Sequence, residues 1–240
     1  MTMAYSADPF ECWVLDDFLP GDMAWNAYQH FYEGDGAWTH RDHLYCRAKE
    51  TRTHGLHPDV EGVLATLEGP SIRHYLAQLA GFPTLHADGD RFGGGQHVIR
   101  QGGFLGVHAD FTHHPTTGMR RALNLLLYLN PNWKKGDGGE LELWAPDMSR
   151  CVRKVEPLHN RAVVFKTSTT SFHGHPDPLR TSERRSLAVY YYVPSMKAQA
   201  PPATPYAWIG GPILHTTNYC PRPWEYTLRL RRWLSKRIKG

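Results

Sequence analysis

Between Gln96 and Val193 the chain breaks into eight short apolar or aromatic runs: 96–100, 104–110, 121–129, 139–145, 150–156, 161–166, 171–175 and 184–193. Turn signals separate them, among them Gly102-Gly103, Asn130-Pro131-Asn132 and Gly136-Asp137-Gly138-Gly139. Runs of this length are too short for packed helices, and Gly and Pro at their ends read as strand boundaries. Many short strands with such punctuation predict a jelly roll, two antiparallel sheets enclosing a pocket.

The flanks differ in character. Residues 10–19 read as an entry strand ending at Pro20-Gly21, and Asp22 is placed to cap a helix over 23–33. Residues 34–57 are polar and rich in histidine, and read as a loop or lid. Two helices are expected over 58–67 and 69–81, with Val60, Val63, Leu64 and Leu67 on one stripe and Ile72, Tyr75, Leu76 and Leu79 on another. Pro-rich 194–205 leads to a strand or loop over 206–220. In the last stretch Tyr226, Leu230, Trp233, Leu234 and Ile238 fall at helical spacing, with Arg229, Arg232, Lys236, Arg237 and Lys239 mostly off that stripe. The expected fold is mainly β within the α+β class, a jelly-roll core with N-terminal supporting helices and a C-terminal helix. It forms one domain over 1–240: a strand and helical buttress to residue 90, the core over 91–193, and an extension over 194–240.

Four scattered cysteines, with no Cys-x-x-Cys pair, give neither a disulfide framework nor a cysteine-zinc site. No basic start precedes an apolar core at the N-terminus, and no apolar run reaches the roughly 20 residues a membrane helix needs. The expectation is a cytoplasmic protein without a transmembrane segment. Fifteen histidines tilt the reading toward metal chemistry.

His108 and Asp110 are two apart in the run 104–110, so both side chains leave one strand face. An imidazole and a carboxylate at that spacing offer two ligands to a divalent metal, and His173 can supply a third; two histidines and one carboxylate with open positions suit ferrous iron. His175 shares a face with His173, so periodicity alone does not choose between them. Arg184, two residues before Ser186, is a permanent cation able to pair bidentately with a carboxylate; Arg180 and Arg185 compete for that role.

The ordered set of His108-x-Asp110 after Gly102-Gly103, Gly-Gly-Glu-Leu at 138–141, His173 in Ser-Phe-His-Gly-His-Pro, and Arg184-Arg185-Ser186 before an aromatic run resembles the Fe(II)- and 2-oxoglutarate-dependent dioxygenases. Within them it resembles the prolyl 4-hydroxylase-like branch, from Gln96 to Val193. The resemblance implies a double-stranded β-helix core and an iron held by His108, Asp110 and His173. His173 fits the His-Gly-x-Pro pattern, which leaves His175 at the substrate mouth or behind the ligands. It implies that Arg184, with Tyr128 and Ser186, binds 2-oxoglutarate; Arg185, next along the strand, should point outward. It further implies dioxygen as oxidant, ascorbate as a candidate reductant, and hydroxylation of an unactivated C–H with release of succinate and CO2. A related halogenase would carry a small residue at the position of Asp110. Arg100, Thr112, His113, Arg120 and His175 are expected to border the substrate, giving a cationic rim suited to a free amino acid, a prolyl or other peptide, or a small acidic metabolite.

Three other readings remain open. A zinc hydrolase uses a similar ligand set but gives Arg184 no task. A non-enzymatic jelly-roll module would keep a metal for structure. A nucleic-acid demethylase needs a basic groove, whereas the basic residues here gather in the C-terminal stretch. No sequence feature fixes an oligomeric state.

Overall fold

The structure, a computed structural model, describes residues 1–195. The anticipated C-terminal extension, including its basic helix, lies almost wholly outside the described residues.

Two neighbouring side-chain parities organise the β core. In β7 (Arg120–Tyr128) Leu123, Leu125 and Leu127 face outward into one apolar cluster, while Leu126 and Tyr128 face inward. Flanking it are β10 (Arg161–Lys166) and β12 (Glu183–Val193), both antiparallel to it. In β10 Ala162 and Val164 join the outer cluster and Val163 and Phe165 the inner one. Alternation of this kind buries both faces of a central sheet, so strands with almost no polar position result.

Beyond β10 the sheet continues through β2 (Cys12–Asp16) to β1 (Thr2–Ser6). On the other side β12 pairs with β6 (Gly95–His108), a strand of 14 residues that the sequence divides in two. Its first half, residues 95–100, lies against β12. Its second half pairs instead with β11 (His173–His175), which leads to β8 (Leu141–Trp144) and β9 (Cys151–Val155). The change of partner happens at Arg100 to Gly103. There the backbone leaves the ladder, Gly102 takes φ +73°, and the amide N–H groups of Gln101 and Gly102 donate to Ser182 and Leu179. One strand thus serves two sheets, and the path curls into a jelly roll.

Three helices cover the outer face: α1 (Gly21–Gln29), α2 (Pro58–Glu68) and α3 (Pro70–Ala80). Ala24 and Ala27, Val60, Val63, Leu64 and Leu67, and Leu76 pack there on the outward leucines and valines. Asp22 does not cap α1. Pro20 occupies that position, and the Asp22 carboxylate accepts from Met23 N inside the first turn. The imidazole of His57 caps α2, accepting from Asp59 N.

Residues 34–57 are not a loop. They contain a hairpin, β3 (Thr39–His43) and β4 (Cys46–Arg52), and β4 adds to the free edge of β6. Polar residues on both faces of the hairpin hide the alternation that marks a strand in sequence. A two-residue strand, β5 (His86–Ala87), borders the far end of β12. No helix among the described residues is long and apolar enough to cross a membrane.

Arg185 joins the helical layer to the sheet. Its guanidinium lies over Tyr28, Phe31 and Tyr32 at 4.6, 5.4 and 4.6 Å, donates to Tyr28 O at 3.0 Å and pairs with Glu183. It points away from the cavity but into packed aromatics rather than water. Arg185→Ala is expected to lower stability by about 1–3 kcal/mol, read by chemical denaturation, with Arg185→Lys recovering only part because an ammonium cannot fill the forked geometry.

Candidate metal centre

His108 ends β6 and His173 begins β11, and the two residues are direct cross-strand partners. Asp110 follows two residues after His108 and returns to the same side. Ligand atoms of the three lie within 4.8 Å of one another, and all three residues are buried. His108 Nε2 is 3.6 Å from Asp110 Oδ1, and His173 Nε2 is 3.5 Å from Asp110 Oδ2.

The tautomers follow from the backbone. His108 Nδ1 lies 2.8 Å from Gly106 O, and His173 Nδ1 lies 2.9 Å from Ser171 O. A carbonyl only accepts, so each Nδ1 carries the proton and each Nε2 presents a lone pair toward Asp110. Burial lowers the His173 pKa to about 4, against the opposing pull of Asp110. Burial alone would raise the Asp110 carboxyl, but the Arg121 guanidinium, then His173 and His108, hold it well below the usual carboxylate range. At neutral pH His173 is therefore neutral and Asp110 ionised, and His108 sets its Nε2 beside them, a donor set suited to a divalent cation. The donors therefore fit ferrous iron. One other set among the described residues, His30, Glu33 and His57, is as close but partly solvent-exposed and paired internally.

Arg121 and Asn124 were not expected to hold Asp110. Asn124 Nδ2 donates to Asp110 Oδ2 at 2.5 Å, Arg121 Nη2 reaches the same oxygen at 3.1 Å, and Arg121 Nε donates to Asn124 Oδ1 at 2.6 Å. The odd-numbered residues of β7 face the helices, so Arg121 should too. A register shift opposite Tyr191 and Tyr192 inserts Ala122 and turns Arg121 inward, against the rings of Tyr190 and Phe111.

The triad opens on a cavity of about 310 Å³. Arg184, Ser186 and His175 line it. Arg184 is buried, donates from Nε to Gly139 O at 2.7 Å and from Nη2 to the Tyr128 hydroxyl at 2.9 Å. Gly139 is obligatory here: its φ is +79°, and a Cβ would sit 2.9 Å from Arg184 Cδ. His175 is buried with Nδ1 unpartnered, and burial together with Arg184, Lys49 and His108 keeps its pKa well below 6.5.

The four remaining substrate-side expectations fall elsewhere. Arg100 shares the outward face of Val98 and is bound by Glu50 and Glu183 over the Tyr32 ring. Thr112 and His113 contact each other at the ladder end, where His113 bridges to Arg120, whose guanidinium lies near Phe82. None of the four lines the cavity. Among the described residues the cations that do are Arg41, Lys49, Arg52, Arg91 and Arg184, three of them from the hairpin read in sequence as a loop.

Residues 94–192 match the sequence model of the 2OG-Fe(II) oxygenase superfamily, whose name specifies the metal, the co-substrate and the reaction with oxygen. Over 81 residues the chain is 32% identical to prolyl 3-hydroxylase OGFOD1 of Mus musculus; the match covers 32% of this chain and 15% of that relative's length. The fold is similar to a Pseudomonas putida prolyl-4-hydroxylase (TM-score 0.54, 22% identity, covering 75% of this chain and 91% of the other). It is also similar to a prolyl hydroxylase of Trichoplax adhaerens, solved with a hypoxia inducible factor peptide fragment (TM-score 0.55, 18% identity, 75% and 83% coverage).

Burial also depresses the pKa of His97. With His173 and His175 this makes three imidazoles that the unfolded chain protonates near pH 6.5 and the folded chain does not. Stability of the metal-free protein therefore falls as pH drops below about 6.5, by up to about 1.4 kcal/mol per pH unit for each histidine. Asp110, depressed instead, adds its loss only below its ordinary value of 3.8. Denaturation midpoints measured between about pH 7.5 and pH 5 should show this slope, and His97→Gln should make it shallower.

Proposed function

We propose, taking residues 94–192 as a domain of the 2OG-Fe(II) oxygenase superfamily, that this chain is an iron- and 2-oxoglutarate-dependent hydroxylase acting on a small or short-peptide substrate. One observation carries the reading: His108, Asp110 and His173 converge, all buried, on the wall of a cavity that also holds Arg184.

His108 and His173 would hold the iron through Nε2, their rings fixed by the carbonyls of Gly106 and Ser171. Asp110 would bind as a carboxylate whose orientation is set by Asn124 and Arg121. When bound, iron and 2-oxoglutarate supply the oxidation, with one oxygen atom of O2 passing to the substrate and the other leaving in succinate as CO2 is released.

Arg184 would receive the far carboxylate of 2-oxoglutarate, because an anion taken out of water into the barrel must be paired. Gly139 O and the Tyr128 hydroxyl hold its guanidinium in place beforehand. Burial raises the Tyr128 pKa, so the phenol keeps its proton. Since it accepts from Arg184, that proton is available to the same carboxylate. Ser186 opens onto the cavity beside it.

Both similar structures are prolyl hydroxylases by name, and the one from Trichoplax adhaerens holds a peptide. A prolyl target is therefore one candidate, alongside free amino acids and small acidic metabolites. The cavity of about 310 Å³ lies at the lower end of the usual pocket range of about 300–1,000 Å³, which favours one residue or one small molecule beside the co-substrate.

A panel of metabolites and peptides, scored by succinate formed and by a mass gain of one oxygen atom, should identify a substrate. Asp110→Ala should abolish product and, because it strands the buried Arg121, also lower the denaturation midpoint; Asp110→Asn, which keeps the side chain's shape, should lose product as well, and turnover retained in either variant would remove Asp110 from the metal. Arg184→Ala should weaken 2-oxoglutarate binding by about 10–100-fold, measured calorimetrically on the zinc-loaded protein. An unchanged affinity would hand that carboxylate to another cation.

A further inference from the structure

Two histidines, His173 and His175, sit on β11, and the metal triad uses only the first. His173 stands opposite His108 on β6, whereas His175 stands opposite Leu105, three residues earlier on that strand. The ladder is irregular between them. Here Gly174 lies so close to β6 that a Cβ would meet Gly106 O at 2.8 Å and Leu105 O at 2.9 Å. A side chain at 174 would push β11 off its neighbour, so the run His-Gly-His needs glycine at its centre to seat both imidazoles.

His175 lines the cavity and is 3% exposed. Its Nδ1 is buried and has no hydrogen-bond partner outside its own residue. The other histidines of the wall differ in this respect. His108 and His173 rest Nδ1 on Gly106 O and Ser171 O, and His97 Nε2 lies 3.1 Å from Gly93 O. A buried polar atom left without a partner costs about 1–3 kcal/mol, and an aliphatic side chain at the same place would avoid that cost.

The position of the ring indicates what meets it. Two residues along a strand span about 6.6 Å, so His175 stands about that far from His173, in the direction away from Asp110. Of the charged groups around it, Arg184 acts on it most strongly. The Arg184 guanidinium is held on the carbonyl of Gly139, just ahead of β8, and β8 runs beside β11. An extended five-carbon chain measures roughly 5 Å between its end carbons. A 2-oxo diacid held at the triad by its oxo acid end therefore reaches the level of His175 with its far carboxylate. Such a group accepts about four hydrogen bonds. Arg184 has already given Nε to Gly139 O and one Nη2 hydrogen to the Tyr128 hydroxyl. Its free end can give two bonds and the Tyr128 hydroxyl one, which leaves room for a further donor.

We propose that His175 donates a hydrogen bond from Nδ1 to the far carboxylate of 2-oxoglutarate, beside Arg184 and Tyr128, and so helps to select a diacid over a 2-oxo monoacid. An imidazole carries at least one N–H whatever its protonation state, and no acceptor on another residue draws the Nδ1 hydrogen elsewhere. This deepens the oxygenase reading and rests on it. His175 is then a binding residue for the co-substrate rather than part of the substrate rim.

The test compares 2-oxoglutarate with 2-oxopentanoate, which keeps the oxo acid end and carries a methyl group in place of the far carboxylate. Both are titrated calorimetrically into the zinc-loaded chain. His175→Leu should weaken 2-oxoglutarate about tenfold and leave the affinities for 2-oxopentanoate and zinc unchanged. His175→Asn, whose amide nitrogen falls near the place of Nδ1, should recover part of the loss. Wild-type protein isotopically labelled at histidine nitrogen gives a readout that needs no variant: 2-oxoglutarate, but not 2-oxopentanoate, should shift the His175 Nδ1 resonance. Two results with the variants overturn the proposal. His175→Leu binding 2-oxoglutarate as tightly as wild type would return the residue to the substrate side. Loss of zinc or 2-oxopentanoate in equal measure would make it a support for His173. A Nδ1 resonance that 2-oxoglutarate leaves in place overturns the proposal as well, whether or not the variants fold. Failure of wild type to bind 2-oxoglutarate at all would instead overturn the oxygenase reading, and this assignment with it.

Discussion

A carboxylate taken out of water inside a β barrel must be compensated where it sits, and the pairing of Asp110 with Arg121 meets that requirement. Removing one member of such a buried pair generally costs about 3–5 kcal/mol, since the other charge is left stranded. Arg121 is itself buried, so it cannot be neutralised by solvent; the Tyr190 face at 3.3 Å and the Phe111 ring supply the rest of its environment. Through Asn124, which also accepts from Thr167, the pair ties together β7, β12 and the turns after β6 and β10. The position of a prospective metal ligand is therefore set by four parts of the chain.

Parity explains how much of this the sequence could reveal. A regular strand sends alternate residues to opposite faces, so Arg184 and Ser186 inside with Arg185 outside could be read directly from the run ERRSLAVYYYV. His108 and Asp110 were legible for the same reason, and the turn glycines marked the strands correctly. A bulge shifts parity by one residue and leaves no mark in composition. Arg121 reaches Asp110 through such a shift, and Lys49 reaches the cavity through another. Arg100 precedes the bend in β6, shares the face of Val98, and so belongs to the helical side. Polar strands are the second blind spot. The hairpin THRDH and CRAKETR has no apolar stripe to betray it, because its inner face lines the cavity rather than a packed core.

The N-terminal part does more than brace the barrel. Its helices bury the outer apolar residues of β7, β10 and β12, but its strands extend the same sheet, β2 beside β10 and β4 beside β6. Arg52 and Arg185 bind the two layers through backbone carbonyls of 28, 31 and 33. Arg185 is a tie on the outer face alone, whereas Arg52 both lines the cavity and holds the helical layer.

Similarity of fold at such low identity leaves chemistry to be argued from side chains. With ferrous iron and 2-oxoglutarate in place, the metal, Asp110, Arg121, the two carboxylates and Arg184 would come close to electrical balance. Lys49 and Arg41 line the same cavity and face each other across the hairpin ladder, so its wall is built by the hairpin as well as by the barrel strands that carry the metal-site residues and Arg184.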